Sequence, residues 1–224
     1  MPPNEFLLPP FFDYAATFFW AISGGLVAAR RGYDIIGIFI LAMVSSTGGG
    51  LLRDGLLLQD GPPVLVRTPV YLELVAAATG VVILFGKRVQ KLPGFQRIVS
   101  IVDALGLGAY AVVGMNRATA VGLDLLGVIF VGMVNAVGGS VLRSVLAGRE
   151  PHLFRPGKFE AVAAFIGCGV FVVLRRILEV APTSAAWITI VAVFVIRLVS
   201  VTYGVETKAL RDFQDEWNQN NPTG

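Results

Sequence analysis

The chain has one cysteine, Cys168, and one histidine, His152. No intrachain disulfide can form, and one thiol and one imidazole on separate segments do not make a metal centre. Cys168 sits in an apolar run and reads as a packed thiol. Charge is also scarce: 15% of the residues are Asp, Glu, Lys or Arg, against about 25% in soluble domains. The first residues, MPPNEFLLPPFFD, lack the basic start of a secretory signal, so the first apolar run is expected to serve as an uncleaved insertion signal. No phosphate loop is present, because neither GGLLRD nor GGSVLR has the glycine spacing followed by Lys and Ser/Thr. Nothing supplies a positioned acid, base and nucleophile, which argues against an enzyme. The net charge of +3 is divided among short loops, which argues against nucleic-acid binding.

What is present is apolar surface. Hydrophobic residues make up 55% of the chain, and the mean hydropathy is +0.72. Seven apolar runs lie at 12–29, 35–58, 70–86, 98–116, 125–147, 158–175 and 184–203. Each is near the length that crosses about 30 Å of hydrocarbon at 1.5 Å per residue. The expected fold is therefore an all-α integral membrane protein with seven transmembrane helices.

Loop charge gives the orientation. With the N-terminus outside, the inner loops and tail hold Arg30, Arg31, Lys87, Arg88, Lys91, Arg97, Arg149, Arg155, Lys158, Lys208 and Arg211. The outer side holds only Arg67, Arg117, Arg175 and Arg176. Excess Lys and Arg stay on the cytoplasmic side, which predicts N-out and C-in.

The chain also repeats itself. YDIIGIFILAMVSSTGGGLLRDGLL, from Tyr33, aligns without a gap with LDLLGVIFVGMVNAVGGSVLRSVLA, from Leu123, at an offset of 90. Asp34 meets Asp124, Gly48 and Gly49 meet Gly138 and Gly139, and Arg53 meets Arg143. Upstream, Asp13 meets Asp103 and Gly24 meets Gly114. Three spans per copy force the second copy to enter the membrane in the opposite sense. The expected organisation is a first three-helix repeat at 11–97, an inverted second at 98–178, a seventh helix at 184–203 and a cytoplasmic tail at 204–224.

Glycine is abundant, and two clusters fall mid-span: Gly48, Gly49 and Gly50 in the second, and Gly138, Gly139 and Ser140 in the fifth. Consecutive glycines weaken a helix by about 0.8–1 kcal/mol each relative to alanine. Paired breaks at equivalent depth predict kinks that line a pathway; close helix packing by small residues is the alternative. Arg53 and Arg143 follow the clusters. An arginine at membrane depth costs about 2.5–3.5 kcal/mol on insertion scales, so each needs a partner or water. Asp54 and Asp13 are candidates for Arg53, and Asp103 for Arg143. Ser144 replaces the acid in the second copy. The arginines either line or gate a wet passage, or hold the helices in place. Ser45, Ser46, Thr47, Asn135 and Ser140 can add polar lining. Asp34 and Asp124 read as helix N-caps, Arg197 as a residue snorkelling to the inner surface, and Trp20 and Trp187 as interface anchors or packing.

The repeated D-x-x-G start and the GGG-x-x-RD-like cluster resemble the prokaryotic branch of the trimeric intracellular cation (TRIC) channels, also described as glycine transporters. The likeness spans roughly residues 11–203. It implies seven helices, a homotrimer, a pore in each protomer lined at Gly48–Gly50 and Gly138–Ser140, and passage of potassium, with sodium also permeant. It implies no cofactor beyond the permeant ions, membrane lipid as surroundings, and the prokaryotic inner membrane as location. The second copy departs from the pattern, with GGS-x-x-RS. The inverted repeat also suits a secondary transporter of glycine or another small solute, which is the alternative function.

Overall fold

A computed structural model describes residues 9–151, 153 and 160–203. His152, Arg155, Lys158 and the expected tail at 204–224 lie outside the described residues. All regular structure among the described residues is helical. The helices are α1 (Phe11–Arg30), α2 (Ile35–Leu52), the short α3 (Val64–Arg67), α4 (Val70–Gln90), α5 (Phe95–Ala120), α6 (Leu125–Leu146), α7 (Glu160–Val172) and α8 (Pro182–Tyr203). Two π-helical turns follow α2 and α7, at Arg53–Leu58 and Val173–Ile177.

Among the described residues six helices are long and apolar enough to cross a membrane: α1, α2 with its π turn, α4, α5, α6 and α8. Large apolar side chains also cover the outside, with Leu84 72% and Leu126 75% exposed. In water such a surface would be an aggregation liability. Around a bundle whose backbone bonds are satisfied within helices, it is the surface that lipid requires. The protein is an all-α, multi-pass membrane fold.

The repeat is visible in local geometry. α1 and α5 each end in a left-handed glycine, Gly32 at φ 75° and Gly122 at φ 82°. Only glycine adopts this backbone without strain. Two residues on, Asp34 accepts from the Gly37 amide at 2.8 Å, and Asp124 from the Gly127 amide at 2.8 Å. Both acids are therefore the N-caps that the sequence predicts. Replacing either with alanine is expected to cost about 1 kcal/mol, read as a lower unfolding midpoint in detergent.

Packing repeats as well. α1 packs on α2 as α5 packs on α6, α1 on α4 as α5 on α7, and α2 crosses α6 at the centre. α8 lies outside this scheme, against α5 and α7. The main core joins Phe12, Trp20, Tyr110, Met115, Phe171 and Val193. Trp20 is thus packing rather than an anchor, and Cys168 is fully buried. Trp187 is half exposed and stacks edge-on to Phe12, with centroids 5.0 Å apart.

Candidate functional site

The central crossing explains the glycine clusters. α2 runs as an unbroken helix through Gly48–Gly50, and α6 through Gly138–Ser140. The helix is not interrupted at either cluster. Instead, the missing side chains let two backbones touch. A Cβ at Gly49 would lie 2.1 Å from the Asn135 carbonyl oxygen, and one at Gly139 2.1 Å from the Ser45 carbonyl oxygen. A Cβ at Gly48 would meet Leu142 at 2.8 Å, and one at Gly138 would meet Leu52 at 2.8 Å. Each contact has its counterpart 90 residues away with the partners exchanged, the signature of a pseudo-two-fold axis. Ser45 meets Gly139 while Arg53, further along α2, meets Asn135, earlier on α6, so α2 and α6 run antiparallel. Their C-terminal ends, and so Arg53 and Arg143, lie at opposite ends of the crossing.

Each end holds a small polar cleft. The first has about 20 Å³ of internal space and is lined by Asp13, Thr17, Ser46, Thr47, Gly50, Arg53, Asp54, Tyr71 and Tyr110, with Pro63–Leu65 over it. The second has about 30 Å³ and includes Asp103, Arg143, Ser144, Arg149 and Glu160. Volumes of this order hold one or two waters. Gly48, Gly49, Gly138, Gly139 and Ser45 lie between the clefts and line neither. Ser45 packs against Gly24, and its hydroxyl has no hydrogen-bond partner among the described residues.

Arg53 and Arg143 are almost completely buried, 3% and 4% exposed. Arg53 forms a fork with Asp54, at 2.7 Å from Nε to Oδ1 and 3.0 Å from Nη2 to Oδ2, and its Nη1 donates to Asn135 Oδ1 at 3.3 Å. Arg143 forms a fork with Asp103, at 2.9 and 2.6 Å, and donates to Ser23 Oγ at 2.6 Å. The two copies therefore choose different acids. Asp54, next in sequence, takes Arg53, whereas Ser144 in its place turns back to the Ser140 carbonyl at 2.8 Å. Arg143 then reaches across to α5. The displaced Asp13 accepts instead from the Tyr71 hydroxyl.

The backbone diverges at the same point. After Arg53 the helix widens into the π turn, which ends at the left-handed Gln59. Asp54 Oδ2 also accepts from the Val64 amide at 3.1 Å, tying the following loop over the first cleft. The equivalent stretch of α6 stays α-helical to Leu146.

The remaining candidates mostly serve the helices. Ser46 and Thr47 donate to the Met43 carbonyl at 3.2 and 2.7 Å. Asn135 donates to the Tyr110 carbonyl at 2.6 Å. The Ser140 hydroxyl lies 2.9 Å from the Val137 carbonyl and 3.2 Å from Glu160 Oε2, and its single proton is donated to one or the other. Arg197 corrects the snorkelling expectation. It is 3% exposed and turns inward, with Nη2 3.4 Å from Glu160 Oε1, because that buried acid offers it a partner.

Sequence reasoning missed Tyr71, Tyr110 and Glu160, and it gave Trp20 no place at the crossing. Extending the repeat would have paired Trp20 with Tyr110. These two meet edge to face at 5.1 Å on the pseudo-axis. The Trp20 indole donates to the Asp103 carbonyl at 3.0 Å, and the Tyr110 hydroxyl to the Ser46 carbonyl. Glu160 opens its helix and resembled an ordinary first-turn acid. Among the described residues no group of three or more His, Cys, Asp or Glu could hold a metal.

These features define a class: multi-pass helical membrane proteins with internal pseudo-symmetry and a buried arginine–carboxylate pair at each end of a glycine crossing. A family model described as Glycine transporter matches residues 10–87 and again residues 100–176. A UPF0126 membrane protein of Deinococcus radiodurans is 34% identical over 158 residues, 70% of this chain and 72% of that protein. The UPF0126 inner membrane protein YadS of Escherichia coli K12 is 29% identical over 191 residues, 85% and 90% of the two chains. The crystallised TRIC trimeric intracellular cation channel orthologue from Rhodobacter sphaeroides superposes with a TM-score of 0.79 at 28% identity, over 87% of this chain and 97% of that one. The chain belongs to this UPF0126 membrane-protein family, which is related to the TRIC channels.

Proposed function

We propose that the protein is a monovalent-cation channel, permeable to potassium, with a pore inside each protomer of a homotrimer. Residues 11–97 and 98–178 are two inverted three-helix units, followed by a seventh helix. The N-terminus lies outside and the C-terminus in the cytoplasm of a prokaryotic inner membrane. The observation that carries this reading is the pair of polar clefts at opposite ends of one antiparallel crossing. A route through the bundle would join them past Trp20 and Tyr110, with Ser46, Thr47, Gly50 and the two arginine–carboxylate sites along it. The contacts at Gly49 and Gly139 close that route, so conduction requires the crossing to loosen. The likeness to the TRIC structures supports the same reading.

The closed centre between two clefts also fits alternating access, and the matching family model is described as a glycine transporter. Secondary transport of glycine is therefore the second reading.

The test is single-channel recording of the purified protein in planar bilayers across a potassium chloride gradient. Discrete openings with a reversal potential near that of potassium are expected. Gly50→Leu should abolish them in folded protein, because a Cβ there has its nearest neighbour 3.7 Å away, at Arg53, and the added side chain enters the first cleft. Silent bilayers together with saturable, gradient-coupled glycine uptake into liposomes would replace the channel with the transporter.

A further inference from the structure

We infer that Asp13 sets the preference of the pathway for cations over anions. This rests on the channel reading and goes beyond it, by naming the residue that supplies the discriminating charge.

Three buried arginines and their acids nearly balance in charge. Arg53 is matched by Asp54, Arg143 by Asp103 and Arg197 by Glu160. Each pair presents almost no net charge to an ion. Asp13 is the acid of the first cleft that no cation contacts among the described residues; Arg53, forked to Asp54, and Arg117 act on it only from a distance. Its partner, Tyr71, is neutral, and the hydrogen bond occupies Oδ2 only. Oδ1 accepts no hydrogen bond from the described residues. The Thr17 and Thr47 hydroxyls and the Ser46 backbone line the same cleft and can stand in for water around an ion.

At the mouth, Arg67 and Arg117 border an adjoining hollow with Asp60, which shares Asp54 and Val64 with the first cleft. Arg117 is exposed there, and Arg67 is held to the Asp60 carbonyl at 2.6 Å. Solvent and salt screen these charges far more than the buried ones. In the second cleft the equivalent acid, Asp103, is consumed by Arg143. The charge asymmetry follows from one difference between the copies, Asp54 against Ser144. Because Asp54 holds Arg53, Asp13 remains available.

The experiment measures the potassium-to-chloride permeability ratio from reversal potentials of wild type, Asp13→Asn and Asp13→Glu. Asp13→Asn should lower the ratio about tenfold, the order expected when a unit charge a few ångströms from the ion is removed from a partly wet site. Asp13→Glu should stay near wild type. A wild-type ratio in folded Asp13→Asn overturns the inference. A second measurement needs no variant. Crystals of the wild type grown with thallium(I) in place of potassium should show anomalous density beside Asp13 Oδ1, and its absence there also overturns the inference. If the wild type carries no current but thallium sits at Asp13, the channel reading fails while the cation preference of the cleft stands.

Discussion

Gly49→Ala is expected to destabilise the protein by about 3 kcal/mol, at or above the upper end of ordinary overpacking. The added methyl would lie 2.1 Å from the Asn135 carbonyl oxygen and 3.1 Å from its carbon. Both atoms belong to the backbone of α6, so no side chain can rotate away. The helices must separate by more than an ångström, which also strains the Arg53–Asn135 hydrogen bond at 3.3 Å. Gly139→Ala should behave alike, since its methyl would meet the Ser45 carbonyl at 2.1 Å and the Trp20 ring at 2.6 Å. Gly50→Ala is the control. Its nearest neighbour is 3.7 Å away, so alanine should be neutral or add up to about 1 kcal/mol through helix propensity. Thermal unfolding in detergent reads all three. Equal midpoints for Gly49→Ala and wild type would mean that the crossing is not closed as described. Loss of current in a Gly49 variant would therefore reflect lost packing as readily as a blocked path, and Gly50 is the better position for testing the route.

The duplication was legible because it lies in side chains with one local job. Asp34 and Asp124 must cap, and that requirement shows in the alignment as an identity; Gly32 and Gly122, just upstream of the aligned stretch, repeat at the same offset. The role of the glycine clusters was harder to read. Helix weakening is a property of the isolated chain, and it predicts a break. Burial of Gly49 against another backbone is a tertiary property, and a helix packed on both sides keeps its hydrogen bonds despite poor propensity. Which acid each arginine selects was likewise open. Asp13 and Asp54 were equally available to Arg53 in sequence. The choice depended on the π turn after Arg53 and on the loop amide of Val64, neither of which has a sequence signature. Arg197 shows the same limit. Its position near a helix end suggested the membrane surface, but its partner Glu160 lies 37 residues away on another helix.

Arg143→Ala is expected to be the most damaging single charge removal. The fork between Arg143 and Asp103 is buried on both sides, and deleting one member of such a pair costs about 3–5 kcal/mol because the other charge stays behind without a partner. The Ser23 hydroxyl and the Trp20 contact to the Asp103 carbonyl would remain but cannot offset a carboxylate. Removing both charges in Arg143→Ala/Asp103→Ala should recover much of the loss, since the penalty comes from the unmatched ion rather than from the lost bond. Arg53→Ala should cost less. Asp54 keeps the Val64 amide and lies nearer the cleft mouth, where water can reach it. Arg88→Ala, on an exposed helix end, should stay within about 0.5 kcal/mol of wild type. Unfolding midpoints in detergent, combined in a double-mutant cycle, separate these outcomes. A single Arg143→Ala as stable as Arg88→Ala would show that water already solvates the second cleft. In surviving Arg143→Ala protein, Asp103 would hold the position that Asp13 holds in the first cleft: an acid facing the cleft with only neutral partners. Its permeability ratio should then move towards cations, opposite to Asp13→Asn, so the two variants test one charge balance from both ends of the crossing.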